Sequence, residues 1–265
     1  MKLEMIKIKK MRKIQRCIYF ILIASLAMTQ GACSKKEPQL PLNELPMYGG
    51  GAPSIAVQKV DQEFIDQEVQ KYGSRQAASE KALEIAWQWF DKGDYRTAMR
   101  RFNQAWLLNP NDPRVFHGYG TTLGEMGQAD AFVKWNKKSA EMGWGNAQVN
   151  MAWAYLIGFG VLADPKESVR WYQKAADQGH PTGLNNLGVL CDWGYGVERD
   201  SEKAKLLYDK ADQAGFKGDW KKLRRDHFLQ ENLEDKDVNF QQIVDVLRKG
   251  YFAARKERMK NQPAL

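Results

Sequence analysis

The side chains that could do chemistry in this chain are few, and their spacing keeps them apart. The histidines are His117, His180 and His227, and the cysteines are Cys17, Cys33 and Cys191. No two of them stand at the short separations with which Cys and His ligate zinc. No glycine-rich phosphate loop and no strand–turn–serine nucleophile elbow is written in the chain. Three Gly-x-Gly triplets, Gly118-Tyr-Gly120, Gly158-Phe-Gly160 and Gly194-Tyr-Gly196, invite comparison with dinucleotide loops. None follows a strand: the first lies inside a helical pattern and the other two fall at turns between helices. Carboxylates are plentiful, but they sit at the spacing of solvated helix faces. The expectation is a protein with no catalytic residue, no metal and no cofactor, and so not an enzyme.

Contact chemistry is better represented. The chain has nine tryptophans, and Trp, Tyr and Arg dominate the energetic centres of protein interfaces. Trp106, Trp171 and Trp220 read most simply as core or cap residues, because large aromatics bury much area. Trp87 and Trp153 need their helices before they can be placed.

Those helices are written in the periodicity. Val60, Phe64, Ile65, Val69 and Tyr72 fall at helical spacing, Gly73 follows as a C-terminal cap, and Ser74 can cap the next helix. Residues 79–112 carry Ala86, Ala98, Phe102, Ala105 and Pro110, an alternation of small and large residues on two packed faces. This pattern resembles a tetratricopeptide repeat. Residues 113–144 are a weaker copy in which Phe116, Tyr119, Gly120 and Leu123 fit the first helix, while Phe132 stands where Ala is expected.

The next two units repeat at a fixed interval. Gly158 and Gly194, Gly160 and Gly196, Asp164 and Asp200, Tyr172 and Tyr208, Ala175 and Ala211, and Gly179 and Gly215 are each 36 residues apart. A constant period of that length marks stacked helical hairpins. The wording resembles Sel1-like repeats, close relatives of tetratricopeptide repeats. Asp164 can cap a helix that has Pro165 at its first position and Glu167 at its third, and Asp200 repeats the cap.

The resemblance covers about residues 79–216 and implies an all-α fold, a right-handed α-solenoid of stacked hairpins with helical caps at both ends. Its parts are a leading helix and two tetratricopeptide-like repeats over 59–144, two Sel1-like repeats over 145–216, and a C-terminal helical cap and tail over 217–265. In tetratricopeptide repeats the first-helix positions held here by Trp87, His117, Trp153 and Asn185 face the concave groove. The resemblance therefore implies that these four line a partner groove. The simpler alternative, that Trp87 and Trp153 are packed by neighbouring helices, stays open. In the C-terminal part, Trp220, Leu223, Phe228 and Leu229 are candidates to cover the end of the stack. Phe240, Ile243, Val244, Leu247 and Tyr251 form a further amphipathic pattern. The polar stretch from Arg255 to Leu265 is expected to fray, and Cys191 reads as a small buried apolar residue.

The net charge of +8 is concentrated at the start of the chain. Residues 1–32 hold seven Lys or Arg and one acid, or +6, leaving +2 for the rest. The high isoelectric point is therefore not a nucleic-acid footprint. The basic run Lys221-Lys222-Leu223-Arg224-Arg225 reads as a solvated helix face, the alternative being contact with anionic head groups. The basic start is followed by an apolar stretch, Cys17 to Met28, too short to span a bilayer and suited to a signal peptide. Gly31-Ala32-Cys33-Ser34 resembles the lipobox of bacterial lipoproteins, with Gln30 where Leu is usual. The resemblance implies signal-peptide residues 1–32, acylation of Cys33, and sorting to the outer membrane facing the periplasm. Ser25-Leu26-Ala27 offers ordinary signal cleavage as an alternative, and Met11 an alternative start. Residues 33–58, with four prolines and Gly49-Gly50-Gly51, read as a tether.

Together these features imply a membrane-tethered helical-repeat scaffold that binds another envelope protein or peptide in its groove. The alternatives are a glycan- or cell-wall-binding module, whose inner aromatics stack on sugars, and an accessory to an envelope hydrolase.

Overall fold

Alternating helix caps and glycine turns divide the chain into short antiparallel hairpins. The computed structural model describes residues 42–51, 54–218, 224–226 and 239–260, and no strand occurs among them. Helix α1 spans Ile55–Tyr72 and ends at a left-handed Gly73. Four hairpins follow. They are α2 (Arg75–Asp91) with α3 (Tyr95–Leu108), α4 (Pro113–Glu125) with α5 (Ala129–Glu141), α6 (Gly145–Ile157) with α7 (Pro165–Asp177), and α8 (Pro181–Trp193) with α9 (Ser201–Gln213). The last helix, α10, spans Phe240–Lys260.

Local chemistry sets these boundaries. Asp94, Asp112, Asp164 and Asp200 each accept hydrogen bonds from backbone N–H groups of the turn they open. Such bonds satisfy donors that a helix start would otherwise leave orphaned. Pro113, Pro165 and Pro181 occupy first positions, where no N–H is needed.

The hairpins stack by close approach of small residues to large ones. A Cβ added to Gly118 would lie 2.2 Å from the Phe102 ring, and one at Gly124 2.6 Å from the Phe132 ring. This explains how Phe132 replaces the expected alanine: glycine on the facing helix makes the room, and Phe132 is buried. In the last two hairpins the glycine contact recurs with the period. A Cβ at Gly160 would lie 2.4 Å from the Ala129 carbonyl oxygen, and one at Gly196 would lie 2.3 Å from the Pro165 carbonyl oxygen. Both glycines also have positive φ, +69° and +74°. Each loop thus abuts the start of the second helix of the preceding hairpin, and only glycine fits.

First helices of successive hairpins touch, α2 with α4 and α6 with α8. The series of first helices therefore forms the inner face of the stack. The described helices pack as a helical solenoid, as the repeat pattern implied.

Two regions differ from the expectation. Residues 42–51, inside the segment expected as a tether, form two 3-10 turns packed on α3. Glu44 is buried and pairs with Arg96 and Arg100. Asn103, itself buried, donates to the Asn43 and Leu45 carbonyls at 2.9 and 2.8 Å. It accepts from the Met47 N–H at 3.0 Å and the Tyr119 hydroxyl at 2.7 Å. The leading helix also begins earlier than its apolar periodicity indicated, at Ile55 behind the capping Ser54.

The second region is the C-terminal cap. It is a helix, and its buried side meets α6 and the end of α8 instead of extending the hairpin series. It remains helical to Lys260, so the expected fraying from Arg255 does not begin there. Trp220, Leu223, Phe228 and Leu229 lie outside the described residues, as do Cys33 and the rest of residues 1–41.

Candidate functional site

The inner face carries the four residues expected to form a groove, and the structure divides them. Trp87 on α2 and His117 on α4 come together, with ring centroids 5.3 Å apart. Trp87 also meets Phe102 at 5.1 Å and Phe90 at 5.3 Å, so one edge of the indole is anchored in the core while the residue stays half-buried. The His117 side chain makes no hydrogen bond among the described residues. Its desolvated ring is held neutral: burial pushes its pKa down to about 4, and the nearby His180 adds to the same effect.

Trp153 on α6 is likewise half-buried. The Tyr251 ring of α10 stands edge-on to it at 4.5 Å, and Phe159 and Phe132 complete the cluster at 5.5 and 6.2 Å. The ring packed on Trp153 thus comes from the C-terminal helix α10. Asn185 does not line a groove. It is fully buried, because α8 is enclosed on nearly its whole circumference, and its amide donates to Asn186 Oδ1 at 3.1 Å.

Polar side chains missed at the sequence level stitch the same face. Asn150 on α6 donates to Thr121 Oγ1 at 3.2 Å and Asn136 Oδ1 at 3.0 Å, tying α6 to both helices of the preceding hairpin. Asn186, one period after Asn150, hydrogen-bonds Tyr172, whose burial raises its hydroxyl pKa. That 36-residue offset was the signal that could have found the pair. His180 caps α8 through Nδ1 and holds Asn146 Oδ1 at 2.7 Å through Nε2. Its pKa is lowered by burial.

No chemistry gathers around these groups. Among the described residues no three His, Cys, Asp or Glu side chains are grouped to hold a metal ion. Cys191 is buried, and burial raises its thiol pKa, the opposite of an activated nucleophile. Of the basic run, Arg224 stacks on Tyr208 at 4.1 Å and pairs with Asp212 at 3.5 Å. The Arg225 N–H donates to Asp192 Oδ2 at 3.3 Å. These two residues serve the last hairpin. No helix among the described residues is long and apolar enough to cross a membrane.

Comparison with known proteins agrees with the geometry of the last two hairpins. The Sel1 repeat family model matches residues 145–180 and 181–215. No curated protein matches the chain. Among solved structures, c5321, a protective antigen present in uropathogenic Escherichia coli strains displaying an SLR fold, is 30% identical over 57% of this chain, with a TM-score of 0.47. The present chain spans only 33% of that protein's length. A Sel1 repeat protein from Oxalobacter formigenes is 29% identical over 40% of this chain and 84% of its own, with a TM-score of 0.37. The chain is a helical-repeat protein carrying two Sel1 repeats, each one α6–α7 or α8–α9 hairpin.

Proposed function

We propose that this Sel1-repeat protein is a membrane-tethered scaffold that takes a segment of another envelope protein on the inner face of its first helices. The observation that carries the reading is the Trp87–His117 pair. It is an aromatic anchor fixed on one edge and beside a neutral imidazole, on the first helices α2 and α4. Anchored aromatics with polar neighbours are the groups that dominate binding energy at interfaces. Sel1 repeats build helical scaffolds, which suggests a role in protein contacts. Trp87→Ala should weaken partner capture from crosslinked cells while leaving helix content unchanged. A loss of helicity instead would make Trp87 a core residue.

The tether is part of the same proposal. With Cys33 acylated, residues 34–41 alone separate the lipid from the docked segment that starts at Leu42. The membrane in this proposal is the outer membrane, with the solenoid on its periplasmic side. Cys33→Ser should move the protein from the membrane to the soluble fraction, and an unchanged distribution would remove the lipid anchor from the account.

A further inference from the structure

The last two hairpins repeat at 36 residues, so most positions of α8 and α9 have a counterpart in α6 and α7. Two large residues have small counterparts one period on: Leu207 stands for Trp171 and Ala214 for Gln178. Leu184 stands for Gln148, the hydrogen-bond partner of Gln178. All three replacements line a cleft of about 570 Å³ between α7 and α9. We infer that this cleft is a binding site for a tryptophan side chain of a protein partner. The inference rests on the scaffold reading for the source of that side chain, and it adds a second contact, on the side of the second helices.

One period earlier the same positions are filled. Trp171 is buried, and Lys174 Nζ lies 4.0 Å from its ring centroid. Gln178 Nε2 donates to Oε1 of the buried Gln148 at 2.8 Å. A further period back, Trp135 on α5 stacks on Phe116, and Lys138 Nζ lies 3.8 Å from the Phe116 centroid. A lysine over an aromatic ring thus recurs on α5 and α7. On α9 the lysine is kept, as Lys210, and the ring is not, because Leu207 stands in its place. Lys210 lines the cleft, and no ring lies beneath it among the described residues.

The lining fits one ligand chemistry. Leu184, Leu207 and Ala214 present apolar surface, onto which transfer of a large ring from water is favourable. Lys210 supplies a cation, which the face of an aromatic ring attracts, most strongly that of tryptophan. Asp177 and Gln213, both exposed at the edge of the cleft, offer oxygen acceptors for an indole N–H, which aliphatic and phenyl side chains lack. The cleft opens to solvent, so the ring enters from outside with the hairpins in place.

The test uses the full chain and a capped amino acid, N-acetyl-5-fluorotryptophanamide, followed by fluorine NMR. The probe resonance should broaden and shift with wild type, and excess N-acetyl-leucinamide should not reverse the effect. Leu207→Trp fills the cleft with the residue that stands there one period earlier, and should abolish binding. Lys210→Gln should weaken binding about threefold, the loss expected for one exposed cation–π contact. No binding by wild type, or binding unchanged in either variant, overturns the inference. Where Leu207→Trp lowers helix content, Ala214→Trp replaces it and fills the cleft from an exposed position. Tighter binding of free tryptophan than of the capped probe would assign the cleft to a small molecule and overturn the partner as its source. Any of these failures is distinguishable from failure of the scaffold reading, because the probe reports on α7 and α9 while partner capture through Trp87 and His117 is read on α2 and α4.

Discussion

The Trp87 and His117 rings, carried by successive first helices, lie 5.3 Å apart with their planes inclined at 41°. This contact joins the first two hairpins on their inner face and makes the imidazole part of the packing. Burial, with a contribution from His180, disfavours the charged imidazole and lowers the pKa of His117 to about 4 in the folded state, while the unfolded chain returns it to its ordinary value of 6.5. Unfolded chains therefore bind more protons between these values. The stabilisation is complete above about pH 6.5 and is lost progressively as pH falls towards 4. Thermal melts of wild type should lose more between pH 7 and pH 5 than melts of His117→Phe, which keeps a ring against Trp87. Identical losses would mean that His117 titrates freely.

Asn103 satisfies all of its amide hydrogen-bonding groups with the 43–47 backbone and Tyr119. Leucine fills similar volume and leaves those partners unmatched. Asn103→Leu should cost about 2–4 kcal/mol and open residues 42–51 to limited proteolysis at protein concentrations where wild type resists. Unchanged resistance would show that Glu44 with Arg96 and Arg100 suffices to hold the segment.

Gly160 and Gly196 combine positive φ with a carbonyl oxygen closer than any side chain allows. Alanine at either position forces both the backbone and the neighbouring helix start to shift, at about 2–4 kcal/mol. Gly215, also at positive φ but with open space around it, meets only the backbone penalty. Chemical denaturation should therefore rank Gly196→Ala as more damaging than Gly215→Ala. Equal effects would contradict the close contact with Pro165.

Gly250 gives the opposite sign. Its surroundings are open and its conformation is ordinary helix, so Gly250→Ala should stabilise α10 by about 1 kcal/mol. Hydrogen exchange in 240–260 should slow without change in the hairpins. Faster exchange would mean that the glycine serves a contact.

The hairpins were legible because their signals are local. A cap such as Asp164, followed by Pro165 and Glu167, is decided within four residues, and the 36-residue period repeats it. What escaped was decided at long range. Pro- and Gly-rich composition around Gly49 reads as a linker, and nothing nearby shows that Asn103 will bind its backbone. The stripe from Phe240 to Tyr251 says that one face is buried, but not that α6 and α8 bury it. Asn185 was misplaced for a related reason: the groove position of a tetratricopeptide repeat was carried to α8, which its neighbours enclose. Trp87 and His117, on successive first helices, are brought into contact.

The central claim is that the inner face of α2 and α4 receives a protein segment. A photo-crosslinking residue in place of His117, in cells that produce the full chain, tests it most directly. The comparison is the same residue in place of Leu206, which is 63% exposed on a second helix. The account predicts one defined protein adduct from position 117, none from 206, and loss of the adduct on adding Trp87→Ala. Adducts of equal pattern from both positions, or a 117 adduct indifferent to Trp87→Ala, would contradict it.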